Sequence, residues 1–494
     1  MTFRETVMRL LSIRSGEEKA LRLLVAFSFA MGVAVAVYYL VVTSLFLTAF
    51  SKEQFPIAYI AAGLIVITLG RFNNYSKKRV KFSTLSLWLI GLLALVIFVL
   101  FFTYKKMDEP VVVLFFMFVW IRVVYFVSGI TFWIPASKLF NLQQAKRLFS
   151  LINSGDVIAR ILVFAGIPLL INHGYETEDF LYVAPFALLV SLFLMYRLVK
   201  AFPDELAESP PPFNENTKLV SHDLTLSQIW KNKYFRYVFL LGMLPLIGLY
   251  FGEFLFSIEV KREFKDDNNQ ISSFMGIFLL VVSCIELAIT TVFYRWMIEK
   301  FGLFAGVVAL PLTLCVALIF AAGSYDKSDL GLFFFFILMS RFSLSTVRKS
   351  INDTSFQILY QPLPAGERLD LQYLIEGYAK SAGYIISGVI LLLFVNINFS
   401  EPLQIVFIFL LVVVFWLFIV WWMHKEYRKK LDTIVEKNAT AQKSKWLINF
   451  LREMLPKLKP QQVLTYYGTL LDKCPIGWRF PPIDLIQPSL QFIE

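Results

Sequence analysis

Residues 133–171 read W-I-P-A-S-K-L-F-N-L-Q-Q-A-K-R-L-F-S-L-I-N-S-G-D-V-I-A-R-I-L-V-F-A-G-I-P-L-L-I. Residues 356–394 read F-Q-I-L-Y-Q-P-L-P-A-G-E-R-L-D-L-Q-Y-L-I-E-G-Y-A-K-S-A-G-Y-I-I-S-G-V-I-L-L-L-F. Each reads as a polar loop with an Arg-Leu pair (Arg147, Arg368), then a glycine (Gly155, Gly377), a second glycine (Gly166, Gly388) and an apolar run. The offsets are 221, 222 and 222 residues, and upstream Arg122 and Arg341 lie 219 apart inside two apolar runs. A nearly constant offset across half the chain points to an internal duplication, and a duplicated apolar chain has the architecture of a two-half transporter.

Composition narrows the class. The chain has 494 residues, 57% of them apolar and only 17% charged, which excludes disorder and disfavours a soluble fold. Its apolar runs are long enough to cross about 30 Å of hydrocarbon as helices. The net charge of +11 invites a nucleic-acid reading, but Lys and Arg cluster in loops beside apolar runs, as membrane orientation requires. No nucleic-acid partner is expected. The first apolar run is too long for a signal core. Cys284, Cys315 and Cys474 are scattered, as are the three histidines, so neither a disulfide framework nor a metal site is expected.

The pattern predicts an all-α polytopic membrane protein: twelve transmembrane helices in two pseudo-symmetric six-helix halves, with a cytoplasmic helical tail. Helices are expected at about 21–50, 56–69, 84–103, 111–134, 156–171 and 181–199 in the first half. The second set is expected at about 237–258, 271–296, 304–322, 330–345, 373–394 and 403–423. The division is residues 1–200 for the amino-terminal half, 201–234 for a cytoplasmic linker with a proline-rich centre, 235–424 for the second half and 425–494 for the tail. The outer loops hold seven Lys and Arg, while twelve lie in the tail alone and more in the other inner segments, so both termini are assigned to the cytoplasm. The expected location is a bacterial inner membrane. In the tail, apolar residues from Trp446 to Leu458 recur at helical spacing, which suits a membrane surface or a protein partner. Residues 474–487 read as a proline-rich strap.

A charge within a spanning helix costs a few kcal/mol, so each needs a partner or a task. Arg122, Arg160, Arg341, Arg348 and Lys380 are such cations, and Asp156, Glu253, Glu286 and Glu376 such acids. A cavity lined by the cations favours an anionic small molecule, which arginine grips with two parallel donors and lysine as a point charge. Arg122, Arg341, Lys380 and Arg160 are therefore the candidate substrate-binding residues. Glu253, Glu286, Asp156 and Glu376 are candidates for coupling or charge balance. Each has a plainer reading. Asp156 with Arg160, and Glu376 with Lys380, are spaced to neutralise one another along a helix, and Glu253 and Glu286 could form static pairs with the arginines. No pattern for nucleophilic catalysis, phosphate-cradling glycine loop or metal cluster is present, so neither an enzyme nor a cofactor is expected.

Ala145-Lys146-Arg147-Leu148-Phe149, with Leu151 and Gly155, resembles the A-K-R-F-Y-P-L-x-x-x-G stretch of the nucleotide transporter (ATP/ADP translocase) family. Pro362-Leu363, Arg368 and Ala379-Lys380-Ser381-Ala382-Gly383 are similar to its P-L-D … G-K-S-G-G stretch. Glu18-Lys19, Leu45-Phe46-Leu47 and Tyr59-Ile60 look like its bacterial relatives. The likeness spans about residues 17–423. It implies a twelve-helix, major-facilitator-like fold and movement of nucleotides by basic residues in the helices, with Lys380 as the residue carried over. One stretch departs: where that family has an R-D-T-K-D-type charged segment late in helix 1, this chain has uncharged Tyr38-Tyr39-Leu40-Val41-Val42-Thr43. The expected function is alternating-access secondary transport, as an antiporter, of an organic anion such as a nucleotide. The alternatives are a transport-inactive scaffold recruiting a partner through its tail, or a carrier of anionic lipid or lysolipid.

Overall fold

Every spanning segment is a helix because hydrocarbon offers backbone groups no water, and the α-helix satisfies them internally. In the computed structural model, the described residues are 17–77, 82–107, 110–140, 142–207, 226–265, 267–289, 293–326, 330–360, 362–363, 365–396 and 401–454. Among them, twelve helices are long and apolar enough to cross a membrane. The first six are α1 (Glu18–Ala49), α2 (Gln54–Lys77), α3 (Phe82–Lys106), α4 (Val111–Leu139), α5 (Leu142–Ile171) and α6 (Val183–Ala201). The second six are α7 (Lys233–Phe264), α8 (Asn268–Ala288), α9 (Tyr294–Gly323), α10 (Gly331–Val347), α11 (Lys380–Asn396) and α12 (Pro402–Met454). The helical body through Tyr427 is one compact unit, and the chain from Arg428 onward is a second.

Packing repeats between the halves. α1 lies on α5, and α7 on α11. Across the divide, α2 pairs with α11 and α5 with α8. α1 and α7 are the most enclosed: 78% and 83% of their central windows are buried, against 33–56% for the other ten. They stand at the centre, and the rest present apolar side chains outward, such as Trp88, Phe186 and Leu411.

Close approaches need small residues. A Cβ on Gly155 would sit 2.5 Å from the Val25 carbonyl of α1, and one on Gly388 would sit 2.8 Å from the Pro56 carbonyl of α2. Their repeat-related counterparts, Gly377 and Gly166, face open space. On α11 the approach to α7 is made by Gly383, against the Met243 carbonyl. The glycine correspondence in the sequence therefore does not carry into packing.

Four boundaries differ from expectation. The polar stretch 137–153 is not a loop: α4 runs to Leu139 and α5 starts at Leu142, since Leu, Gln, Ala, Lys and Arg are good helix formers and Leu148 and Ile152 are buried. Its counterpart around Arg368 is likewise helical, over Ala365–Leu374. α8 stops at Ala288 rather than near residue 296, and α9 begins at Tyr294 and kinks at Gly302, whose φ of 74° suits glycine. The α-helical pattern of α8 ends inside a largely apolar run that contains no Gly or Pro. α10 continues through a π-turn, Arg348–Asn352, to Ile358. α12 does not end near residue 423 but continues to Met454, because no Gly or Pro interrupts residues 425–454. The proline-rich centre of the linker, the tail's strap and both chain ends lie outside the described residues.

Candidate functional site

Between the halves lies a cavity of about 330 Å³, lined by α1, α4, α5, α7, α8, α10 and α11. Six cations face it: Arg122, Arg160, Arg341, Arg348, Lys349 and Lys380. Two acids do, Glu253 and Asp353. Tyr39, Tyr125, Tyr250 and Tyr384 supply aromatic walls.

The arginines differ in their partners. Arg122 on α4 donates through Nη2 to both oxygens of Glu253 on α7, at 3.0 and 2.8 Å. Its guanidinium also lies 4.8 Å from the centre of the Tyr250 ring. Arg160 on α5 is held from two sides: Nε donates to Asp156 at 3.0 Å, and Nη1 and Nη2 donate to the two oxygens of Glu286 on α8 at 2.9 and 3.1 Å. Lys349 approaches the same Glu286 at 3.7 Å. Arg348 pairs with Asp353 at 3.1 Å. Arg341 on α10 stands apart. It is 5% exposed, its Nη2 donates to the Tyr39 hydroxyl of α1 at 2.8 Å, and Nη1 has no hydrogen-bond acceptor among the described residues.

Arg122–Glu253, Arg160–Glu286 and Arg341–Tyr39 each join one half to the other. The sequence singled out every charged member of these pairs, and the fold brings Arg122, Arg160, Arg341 and Glu253 to one chamber, with Glu286 hydrogen-bonded to Arg160. Of the plainer readings, Asp156 does neutralise Arg160, but as one of two partners. Glu253 forms its ion pair with Arg122 and acts on the repeat-related Arg341 only through space, without a hydrogen bond. Lys380 lines the cavity, while the side chain of Glu376 lies outside the described residues. Sequence reasoning missed Lys349 and Asp353, which look like ordinary loop-end charges and enter the cavity only because α10 continues past Val347 as a π-turn. It also missed the tyrosines, which in an apolar chain are indistinguishable from packing residues.

The chamber is asymmetric across the membrane. At the face where the chain enters α1, here the near face, it reaches side chains open to solvent, with Asp353 48% exposed and Lys349 39% exposed. At the far face the halves are sealed. The Ser44 hydroxyl donates to Asn268 Oδ1 at 2.8 Å, Ser272 donates to Ser44 at 2.7 Å, and Lys261 donates to the Phe50 carbonyl at 2.9 Å. Below them Phe46 stacks on Phe118 at 3.9 Å, and Phe55 meets Phe254 edge-on at 6.1 Å. Among the described residues no His, Cys, Asp and Glu cluster could hold a metal ion.

The helical architecture is similar to that of several solved membrane transporters. A variant of the nucleoside transporter NupG superposes with a TM-score of 0.61 at 14% identity, over 82% of this chain and 99% of the other. A bacterial homologue of the iron transporter ferroportin in its inward-facing state gives 0.56 at 15%, over 82% and 99%. A D-xylose–proton symporter gives 0.55 at 15%, over 80% and 96%. At such identities the likeness establishes the fold. No family model and no curated protein sequence matches the chain.

Proposed function

We propose that the protein is an alternating-access transporter of an organic anion, working between two six-helix halves in a bacterial inner membrane. The carrying observation is the buried Arg341, in a chamber where six cations face two acids, with one guanidinium nitrogen that no protein acceptor among the described residues reaches. Burying a cation with no carboxylate in direct ion-pair contact costs free energy that a bound anion would return. A metal cation would be repelled by this lining. On the charge-based orientation, with both termini in the cytoplasm, the near face is cytoplasmic and the chamber is inward-open. The far-face hydrogen bonds and phenylalanines are then the closed outer gate. Nucleotides and related phosphorylated compounds are the first class to try, since the A-K-R-L-F and A-K-S-A-G stretches resemble the nucleotide transporter family. Exchange by antiport belongs to the same proposal.

The test is uptake by the full chain in liposomes, screened over nucleotides, sugar phosphates, carboxylates and lysolipids. The expected result is saturable uptake of one class, lost in Arg341→Gln. Uptake no faster than in protein-free liposomes for every class, from protein that remains folded, would overturn it. The scaffold reading draws on the helical extension of α12 to Met454. It predicts a stoichiometric membrane partner that is lost on deleting residues 444–494.

A further inference from the structure

The balance of charge in the chamber limits what it can take. Arg122 is answered by Glu253, and Arg348 by Asp353. Arg160 and Lys349 share Glu286, with Asp156 also on Arg160. Among the described side chains, Arg341 is thus the lining arginine with no carboxylate in ion-pair contact, Glu253 attracting it only over a longer distance. It lies at the enclosed end, with a neutral hydroxyl as its hydrogen-bond partner and the Phe256 ring 5.9 Å from its guanidinium. Lys380 lies nearer the exposed end, where α11 begins. Around Arg341 the walls are ring-bearing: Tyr39 holds its Nη2, Tyr125 meets Tyr39 edge-on at 6.1 Å, and Tyr250 lies beneath Arg122.

We infer that the chamber takes a small anion bearing a planar ring and one or two negative charges, its anionic group on Arg341 Nη1 and its ring against Tyr39, Tyr125 and Tyr250. This rests on the anion-transport reading and narrows it. A polyanion such as a nucleoside triphosphate carries more charge than Arg341 can balance even with the Lys380 ammonium, and its surplus would face Glu253 and Asp353. A ringless anion satisfies Arg341 but leaves the aromatic walls uncovered. Orientation follows too, because the guanidinium without an acid partner is at the enclosed end, so the anionic group enters first.

Binding tests this without requiring movement of the ligand. Purified full-length protein is melted with phenyl phosphate, benzoate, benzyl alcohol, inorganic phosphate or magnesium-free ATP. At about 10 mM, phenyl phosphate and benzoate should each raise the midpoint by about 2 °C or more, since ligand binding to the folded form alone stabilises it. Inorganic phosphate and ATP should raise it by less than half as much, and benzyl alcohol not at all. Arg341→Gln should abolish the gain and Arg341→Lys retain part of it, which separates lost binding from lost folding. Stabilisation by ATP equal to or above that by phenyl phosphate overturns the inference, as does equal stabilisation by inorganic phosphate, or none by either ring-bearing anion. If the ring-bearing anions bind but no anion crosses liposomes, the transport reading fails and the binding site stands.

Discussion

Arg122 and Arg341 occupy matching places in the two halves, are comparably buried at 9% and 5% exposure, and face one chamber. They differ in what holds them. Arg122 has a carboxylate across the divide and an aromatic face beneath it, so its charge is compensated within the protein. Arg341 has one phenol and the Phe256 ring 5.9 Å away, with no described carboxylate in ion-pair contact. The same residue type in the same setting is a bracket in one half and an open site in the other. What decides between the two is the acid: Glu253 stands on α7, and no described carboxylate pairs with Arg341.

The sharpest way to break the comparison is to remove the acid. Glu253→Gln leaves Arg122 buried without its counter-charge, and thermal unfolding should show a loss of about 3–5 kcal/mol. Arg341→Gln, which abandons no charged partner, should change stability by no more than about 1 kcal/mol. If the two variants melt alike, the distinction fails. Replacing both Arg122 and Glu253 by Met should recover most of the loss, because a buried ion pair exchanged for apolar side chains is close to neutral. A double variant as unstable as Glu253→Gln would mean that the pair does more than neutralise itself.

Smaller effects sharpen the same contrast. Glu286→Gln removes one of two acids on Arg160, so its cost should be about 1–3 kcal/mol, below that of Glu253→Gln in the same melt. The repeat-related glycines test asymmetry without charge. Gly155→Ala forces a Cβ against the Val25 carbonyl and should cost about 1–3 kcal/mol, whereas Gly377→Ala meets open space and should cost nothing. A small effect is expected of Tyr39→Phe, which deletes one hydrogen bond to Arg341, at about 1 kcal/mol. A fall as large as that of Glu253→Gln would make Tyr39 the true counterpart of Glu253.

Much of this is legible in the sequence because the membrane imposes long apolar helices, and a charge inside one is conspicuous. The twelve helices, and the charged positions Arg122, Arg160, Arg341, Glu253, Glu286 and Lys380, can be read from those two rules. Pairing cannot. Which acid meets which arginine depends on the rotation of α4, α5, α7 and α8 about their axes, and helical spacing within one segment reports only local pairs such as Asp156 with Arg160. Helix ends escape a sequence reading where the α-helix ends inside an apolar run, at Ala288, and where polar residues continue a helix, at Leu142 and after residue 423. Lys349 and Asp353 become part of the chamber for that second reason.

The most direct measurement is a density map of the full-length protein with phenyl phosphate bound. The account requires the phosphate against Arg341 Nη1, the ring along Tyr39 and Tyr250, and the Arg122–Glu253 pair intact. Phosphate seated on Arg122 with Glu253 displaced, or no ligand between the halves, would contradict it.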